Sequence, residues 1–159
     1  MPVVIRSATP ADAGLIHQFI LDLADYEKLL DTVVATQDDT AAALFGPNAR
    51  AFADIAELDG EPVGFALWFY NYSTFVGRHG IYLEDLFVRP SARGAGAGKA
   101  LLAHLAKRCM DENLGRLEWT VLDWNAPSIA FYDSLGAASM EEWIIRRMTG
   151  EAIRKLAEG

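Results

Sequence analysis

The sequence predicts an α+β domain built on a mixed, mostly antiparallel sheet flanked by helices. Three observations carry that expectation. The chain has 159 residues and is 52% hydrophobic, a length that fits one domain (1–159) with enough apolar mass for a core. Three strand-patterned stretches follow one another between residues 51 and 88, the mark of an antiparallel meander. The pattern then changes to strand, glycine-rich loop, helix and strand, which introduces a parallel pairing.

Each element has its own signal. Val3 to Arg6 reads as a short strand. Thr9-Pro10-Ala11-Asp12 starts a helix, with a hydroxyl cap, a proline in the first turn and an acid at the positive end of the dipole. Leu15, Ile16, Phe19, Ile20 and Leu23 recur at helical spacing down to about Asp25. A second helix runs from Asp38 to Phe45 and stops at Gly46-Pro47-Asn48. Ala51 to Leu58 is a strand that enters Asp59-Gly60, a tight-hairpin dipeptide, and Pro62 to Tyr72 returns. Arg78 to Val88 is the third strand of the meander. From Lys99, Leu101, Leu102, Leu105, Ala106, Cys109 and Met110 form one helical face, ending before Gly115. Leu117 to Leu122 reads as a strand, Pro127 to Leu135 as a helix stopped by Gly136, Met140 to Met148 as a last strand, and Glu151 to Ala157 as a terminal helix.

Composition excludes several function classes. The net charge is -8, which argues against a nucleic-acid partner and suits cationic substrates. A single cysteine, Cys109, allows no internal disulfide, and His17, His79 and His104 show no metal-ligand spacing, so no metal is expected. Cys109 reads as a small hydrophobe on its helix. No apolar run approaches the ~18 residues of a membrane span, and a cytoplasmic protein without membrane contact is the default.

The loop Arg93-Gly94-Ala95-Gly96-Ala97-Gly98 leaves a strand and opens a helix. Helix N-termini present unpaired N–H groups and partial positive charge to phosphates, and glycine lets the anion come close. A phosphate-binding P-loop needs four residues between its glycine and Gly-Lys, then a hydroxyl residue. Here three residues separate Gly94 from Gly98, and Ala100 follows Lys99. The dinucleotide fingerprint fails as well, on spacing and on its place after antiparallel strands.

The loop instead resembles the R/Q-x-x-G-x-G/A signature of the GNAT N-acetyltransferases. Tyr82-Leu83-Glu84-Asp85-Leu86-Phe87-Val88 is similar to that family's central strand, and Val121 to Tyr132 to the segment with its coenzyme-A-contacting Asn and catalytic Tyr. Leu23 to Leu29, Tyr72-Ser73-Thr74 and Val121-Leu122-Asp123-Trp124-Asn125 look like the diamine (spermidine/spermine) and thialysine acetyltransferase group. The C-terminal Gly150 to Leu156 looks like the thialysine branch.

The resemblance implies a GNAT fold, acetyl-CoA as co-substrate and acetyl transfer to a primary amine. It implies that Leu86, Phe87 and Val88 meet the pantetheine arm, with Arg93, Gly94, Ala95, Gly96, Ala97, Gly98 and Lys99 around the pyrophosphate. It carries coenzyme A contacts to Asn125, Pro127, Ser128 and Tyr132, and substrate contacts to Tyr26, Glu27, Arg78 and Glu84. Glu84 is the implied base and Tyr132 the implied acid; a phenol suits a developing thiolate. Because neighbouring strand residues point to opposite faces, at most one of Glu84 and Asp85 is expected to face the thioester. The resemblance also implies a homodimer and a small-molecule amine partner. Ser73 stands where the polyamine enzymes place an acid, which favours a lysine-like or thialysine-like amine over long polyamines. Two other readings stay open: a non-catalytic acyl-CoA sensor on the same fold, and an acetyltransferase for proteins or peptides.

Overall fold

Asp59 and Gly60 both adopt left-handed backbone, with φ of +55° and +80°. That is the conformation of a two-residue hairpin whose twist matches its strands. It turns β2 (Phe52–Leu58) into β3 (Glu61–Ser73), which pairs along its length with β4 (Arg78–Val88). The computed structural model describes residues 2–159. A first strand, β1 (Val3–Ser7), lies antiparallel on β2, and β5 (Leu117–Glu118) lies parallel to β4, giving the order β1-β2-β3-β4-β5. The expected mixed, mostly antiparallel sheet is therefore present.

Helices α1 (Ala13–Tyr26) and α2 (Gln37–Phe45) follow β1; α3 (Ala97–Asp111) joins β4 to β5; α4 (Ala126–Ser134) and α5 (Gly150–Glu158) follow. The start of α1 is held by Asp12, which accepts the Thr9 N–H at 2.8 Å and both guanidinium arms of Arg6 at 2.8 and 2.9 Å. The hydrogen bonds from Arg6 hold the Asp12 carboxyl down at about 2. Thr36 and Asp39 cap α2 reciprocally, each side chain accepting the other's backbone N–H.

The sheet buries a different layer on each face. Ile16 and Phe19 of α1, Leu44 of α2, Ala53 and Ile55 of β2, Phe65 of β3 and Phe87 of β4 form one core. Phe19 stacks on Phe65 with centroids 5.4 Å apart. The alternate residue Asp54 points the other way, within 3.5 Å of His104 on α3, so α3 covers the opposite face. Asp54 also accepts the Trp68 indole N–H at 2.9 Å.

Two expectations are corrected. The strand expected over 117–122 has only two residues, Leu117 and Glu118. Residues 140–148 form no strand; Trp143, Ile144 and Ile145 there are 71%, 77% and 66% exposed. Alternating apolar residues make a strand only when the backbone finds a ladder partner, and this segment pairs with none among the described residues. The chain divides into two compact units, 1–120 and 121–159. The first holds the sheet and α1 to α3; the second holds α4 and α5. Among the described residues no helix is long and apolar enough to cross a membrane, and no cluster of His, Cys, Asp and Glu is arranged to hold a metal.

Candidate active site

The centre of the first unit is a defect in β4. Across from β3, Leu67 lies opposite Asp85 and Trp68 opposite Leu83, so Glu84 is an extra residue, a β-bulge. The bulge changes the alternation read from the sequence. Phe65, Leu67 and Phe69 share the α1 face of β3, and their partners Phe87, Asp85 and Tyr82 share it on β4. Tyr82 stacks on Phe69 at 5.2 Å. Asp85 is thus turned toward α1 and half-buried, while Glu84, at the bulge, is exposed. The β4–β5 pairing covers only Ile81 and Tyr82, so β5 makes no ladder with the segment Leu83 to Val88.

The C-terminus of α1 closes on this region. Lys28 takes a left-handed φ of +63°, and the Leu29 N–H reaches back to the Ala24 carbonyl at 2.8 Å. This is a helix stop with the left-handed residue just past the cap, and it holds Tyr26 and Glu27 at the helix end. Burial pushes the Glu27 carboxyl above its ordinary value. Asp85 is pushed further, to about 7, first by burial and then by the charges of Glu84 and Glu27. Arg93 lies over the Tyr26 ring at 5.0 Å and the Phe87 ring at 5.9 Å. Its Nε donates to the Val88 carbonyl at 3.2 Å. Tyr26, Glu27, Asp85, Phe87, Val88 and Arg93 are therefore brought together around the end of α1.

The glycine loop lies beyond. Gly94 and Gly96 have φ of +88° and +87°, and a Cβ built on either meets no atom within 4 Å. The residues from Arg93 to Gly96 are exposed. Gly96 caps α3 without a side chain, and the first helical hydrogen bond runs from Ala100 N–H to the Gly96 carbonyl. The N–H groups of Ala97, Gly98 and Lys99 thus precede the ladder, at the positive end of a helix of 15 residues. This cradle fits a pyrophosphate. It differs from the expected site in one respect: the Arg93 side chain turns to the rings at the end of α1 rather than across the glycines.

Two further residues flank the β3–β4 turn. Arg78 begins β4, six residues before Glu84, roughly 20 Å of extended chain away. Its guanidinium donates to the Asn113 side chain at 3.0 Å, just past the end of α3. The Ser73 hydroxyl accepts the Val76 N–H at 3.2 Å and so shapes the β3–β4 turn. Asp85 is the carboxylate that resemblance passed over in favour of its neighbour Glu84. Its signal was legible: two adjacent carboxylates, Glu84 and Asp85, inside the otherwise apolar run Leu83 to Val88.

The second unit carries the remaining expected residues. Asn125 is buried and caps α4, its Oδ1 accepting the Ser128 N–H at 3.3 Å, with Pro127 in the first turn. Tyr132 is half-buried on α4 with its ring 5.6 Å from that of Phe131. The helix ends at Gly136, φ +82°, where the Ala137 N–H returns to the Tyr132 carbonyl at 3.2 Å.

Comparison with known proteins places this geometry in context. The model of the acetyltransferase (GNAT) family matches residues 18–137. Thialysine N-epsilon-acetyltransferase of Sus scrofa is 39% identical over 166 aligned residues, covering 98% of this chain and 97% of that protein. L-ornithine N5-acetyltransferase NATA1 of Arabidopsis thaliana is 32% identical, covering 96% of this chain and 86% of that protein. Among solved structures, an integron cassette protein from the mobile metagenome of V. cholerae superposes with a TM-score of 0.82 at 29% identity, covering 100% of this chain and 99% of that one.

Proposed function

The chain belongs to the acetyltransferase (GNAT) family and is an N-acetyltransferase, and from that premise we propose that it moves the acetyl group of acetyl-CoA to a primary amine of a small cationic molecule, by direct attack in a ternary complex. The observation that carries the reading is the arrangement along one strand. β4 presents carboxylates at its bulge and then leads, through Arg89 to Arg93, into the glycine cradle at the start of α3. An anion-binding end and a cation-binding end thus lie on one short stretch of chain.

The residues take distinct parts. Ala97, Gly98 and Lys99 would hold the pyrophosphate by backbone N–H, with Gly94, Ala95 and Gly96 giving it room. Leu86 to Val88 would pair with the pantetheine arm, although the Val88 carbonyl already accepts from Arg93. Asn125, Pro127, Ser128 and Tyr132 are carried over as coenzyme A contacts on resemblance, and Glu84 and Tyr132 as base and acid. Acetyl-CoA supplies an activated acyl carbon when bound. The protein's share is to orient the amine, to take its proton and to give one to the leaving sulfur.

The acceptor is proposed to be a lysine-like or thialysine-like amine, with shorter diamines next. The support is the relatedness to thialysine acetyltransferases over nearly the whole chain, and the absence of an acid at Ser73. A panel of thialysine, lysine, putrescine, spermidine and spermine is expected to give kcat/KM at least about tenfold higher for thialysine or lysine than for spermine, a difference within reach of one pocket's shape. Spermine or spermidine at the top of the order would overturn the assignment.

We further propose a homodimer. Trp143, Ile144 and Ile145 offer exposed apolar surface of the kind that marks an interface. Light scattering is expected to return about twice the chain mass of 17.4 kDa; a single-chain mass would sink the idea.

A further inference from the structure

We infer that Asp85 is a further catalytic residue, the carboxylate that receives the proton of the attacking amine, and that Glu27 and Glu84 are the neighbours that bind the ammonium before it is lost. The inference rests on the amine-acetylating reading above and deepens it by moving the base from Glu84, where resemblance puts it, to the neighbouring Asp85.

The geometry starts from the bulge. In a regular strand Asp85 and Tyr82 would point to opposite faces. With Glu84 inserted, both point to the α1 face, Asp85 opposite Leu67 and Tyr82 opposite Phe69. Glu84 stays exposed, whereas Asp85 is half-buried among apolar groups. The two carboxylates are therefore placed in different surroundings: one wet, one sheltered.

Three elements bear on Asp85. From its own strand comes the carboxylate of Glu84, and from the end of α1 the carboxylate of Glu27. β3 contributes Leu67, flanked by Phe65 and Phe69, with no charge. Tyr26 lies beside Glu27, covered by the Arg93 guanidinium, and Arg89 lies over Phe19. Neither arginine is among the charges that shift Asp85, which is set by burial and by two like charges.

Chemistry then separates the roles. A carboxylate with the reference value of ~4 for a free side chain in water is, as a matter of general chemistry, a poor acceptor for the proton of an alkylammonium near 10. A carboxyl raised to about 7 shortens that gap by about three units and is still ionised in much of the population at neutral pH. In the step itself, Asp85 takes one N–H proton from the ammonium. The nitrogen lone pair forms the C–N bond to the acyl carbon of the thioester. The C–S bond breaks with its electron pair on sulfur, the thiolate takes a proton from the acid, assigned to Tyr132, and the second N–H proton, which the nitrogen sheds as the amide forms, returns that acid to its neutral state. The proton on Asp85 then leaves to solvent, and the carboxylate is restored.

The test combines rate and titration. For the wild type, kcat/KM for the preferred amine is expected to rise with pH and level off above about 7. Asp85→Asn, which keeps the shape and removes the base, is expected to lower kcat/KM at pH 7.5 by about 100-fold. Its rate should keep rising tenfold per pH unit toward pH 9, because solution must then supply the free amine. Glu27→Gln is expected to keep the break but move it to lower pH, since one repelling charge is gone. Carbon-13 NMR of the side-chain carboxyls in the free protein provides a readout independent of turnover. Asp85 is expected to titrate near 7, and lower in Glu27→Gln.

A break near 7 that survives in Asp85→Asn, or an Asp85 carboxyl that titrates below 5, would overturn the inference while leaving amine acetylation standing. A wild-type protein that acetylates none of the amines would instead remove the reading beneath it.

Discussion

Gly96→Val is expected to weaken acetyl-CoA binding by about 100-fold or more, with the fold retained. Two effects act together. Gly96 sits at φ +87°, a region in which a β-branched residue is strained whatever space surrounds it. A built Cβ meets no protein atom within 4 Å, so the new side chain stands in the open space that the anion would occupy. Relief of the strain would rotate the cap and re-aim the N–H groups of Ala97 to Lys99. Loss of one or two hydrogen bonds to a charged group, each worth about 1.5–3 kcal/mol, accounts for the magnitude. Calorimetric titration with acetyl-CoA measures it, and a circular dichroism spectrum like that of the wild type shows that the fold survives. An unchanged dissociation constant would mean that the pyrophosphate lies elsewhere.

Tyr132→Phe is expected to lower kcat by about 100-fold while leaving the acetyl-CoA dissociation constant within about twofold, the usual scale of a lost acid catalyst. The substitution keeps the ring that packs beside Phe131 at 5.6 Å and removes only the hydroxyl. Steady-state kinetics together with direct binding separate the two quantities. A variant with wild-type turnover would take Tyr132 out of the mechanism.

Much of this architecture was legible in the residues. The Asp59-Gly60 turn, the amphipathic faces of α1 and α3 and the glycines after β4 each rest on a local rule that tertiary context did not override. Local rules failed where the outcome depends on a partner. Residues 140–148 alternate like a strand, yet a strand is defined by a neighbour, and no string of residues states whether one is present. The candidate site divides in the same way. The glycine turns at the start of α3 were readable because a positive φ is a backbone property that glycine favours. The carboxylates were only half readable, because strict alternation assigned Glu84 and Asp85 to opposite faces and gave no notice of a bulge. Arg78 and Ser73 entered through resemblance, and their contacts with Asn113 and Val76 depend on the three-dimensional course of the β3–β4 turn.

The bulge also limits how this strand can change over generations. Deleting one residue at Glu84 would restore a flat strand and force a choice. Either Arg78 to Leu83 slide one place against β3, breaking the Tyr82–Phe69 and Leu83–Trp68 pairings, or Asp85 to Val88 slide and draw the glycine loop one step toward the sheet. Inserting a residue meets the same dilemma in reverse. Substitutions can reshape the two carboxylates independently, but length changes here would disturb acceptor and donor ends together. The middle of β4 is therefore a stretch in which mutation can exchange letters and cannot alter the count.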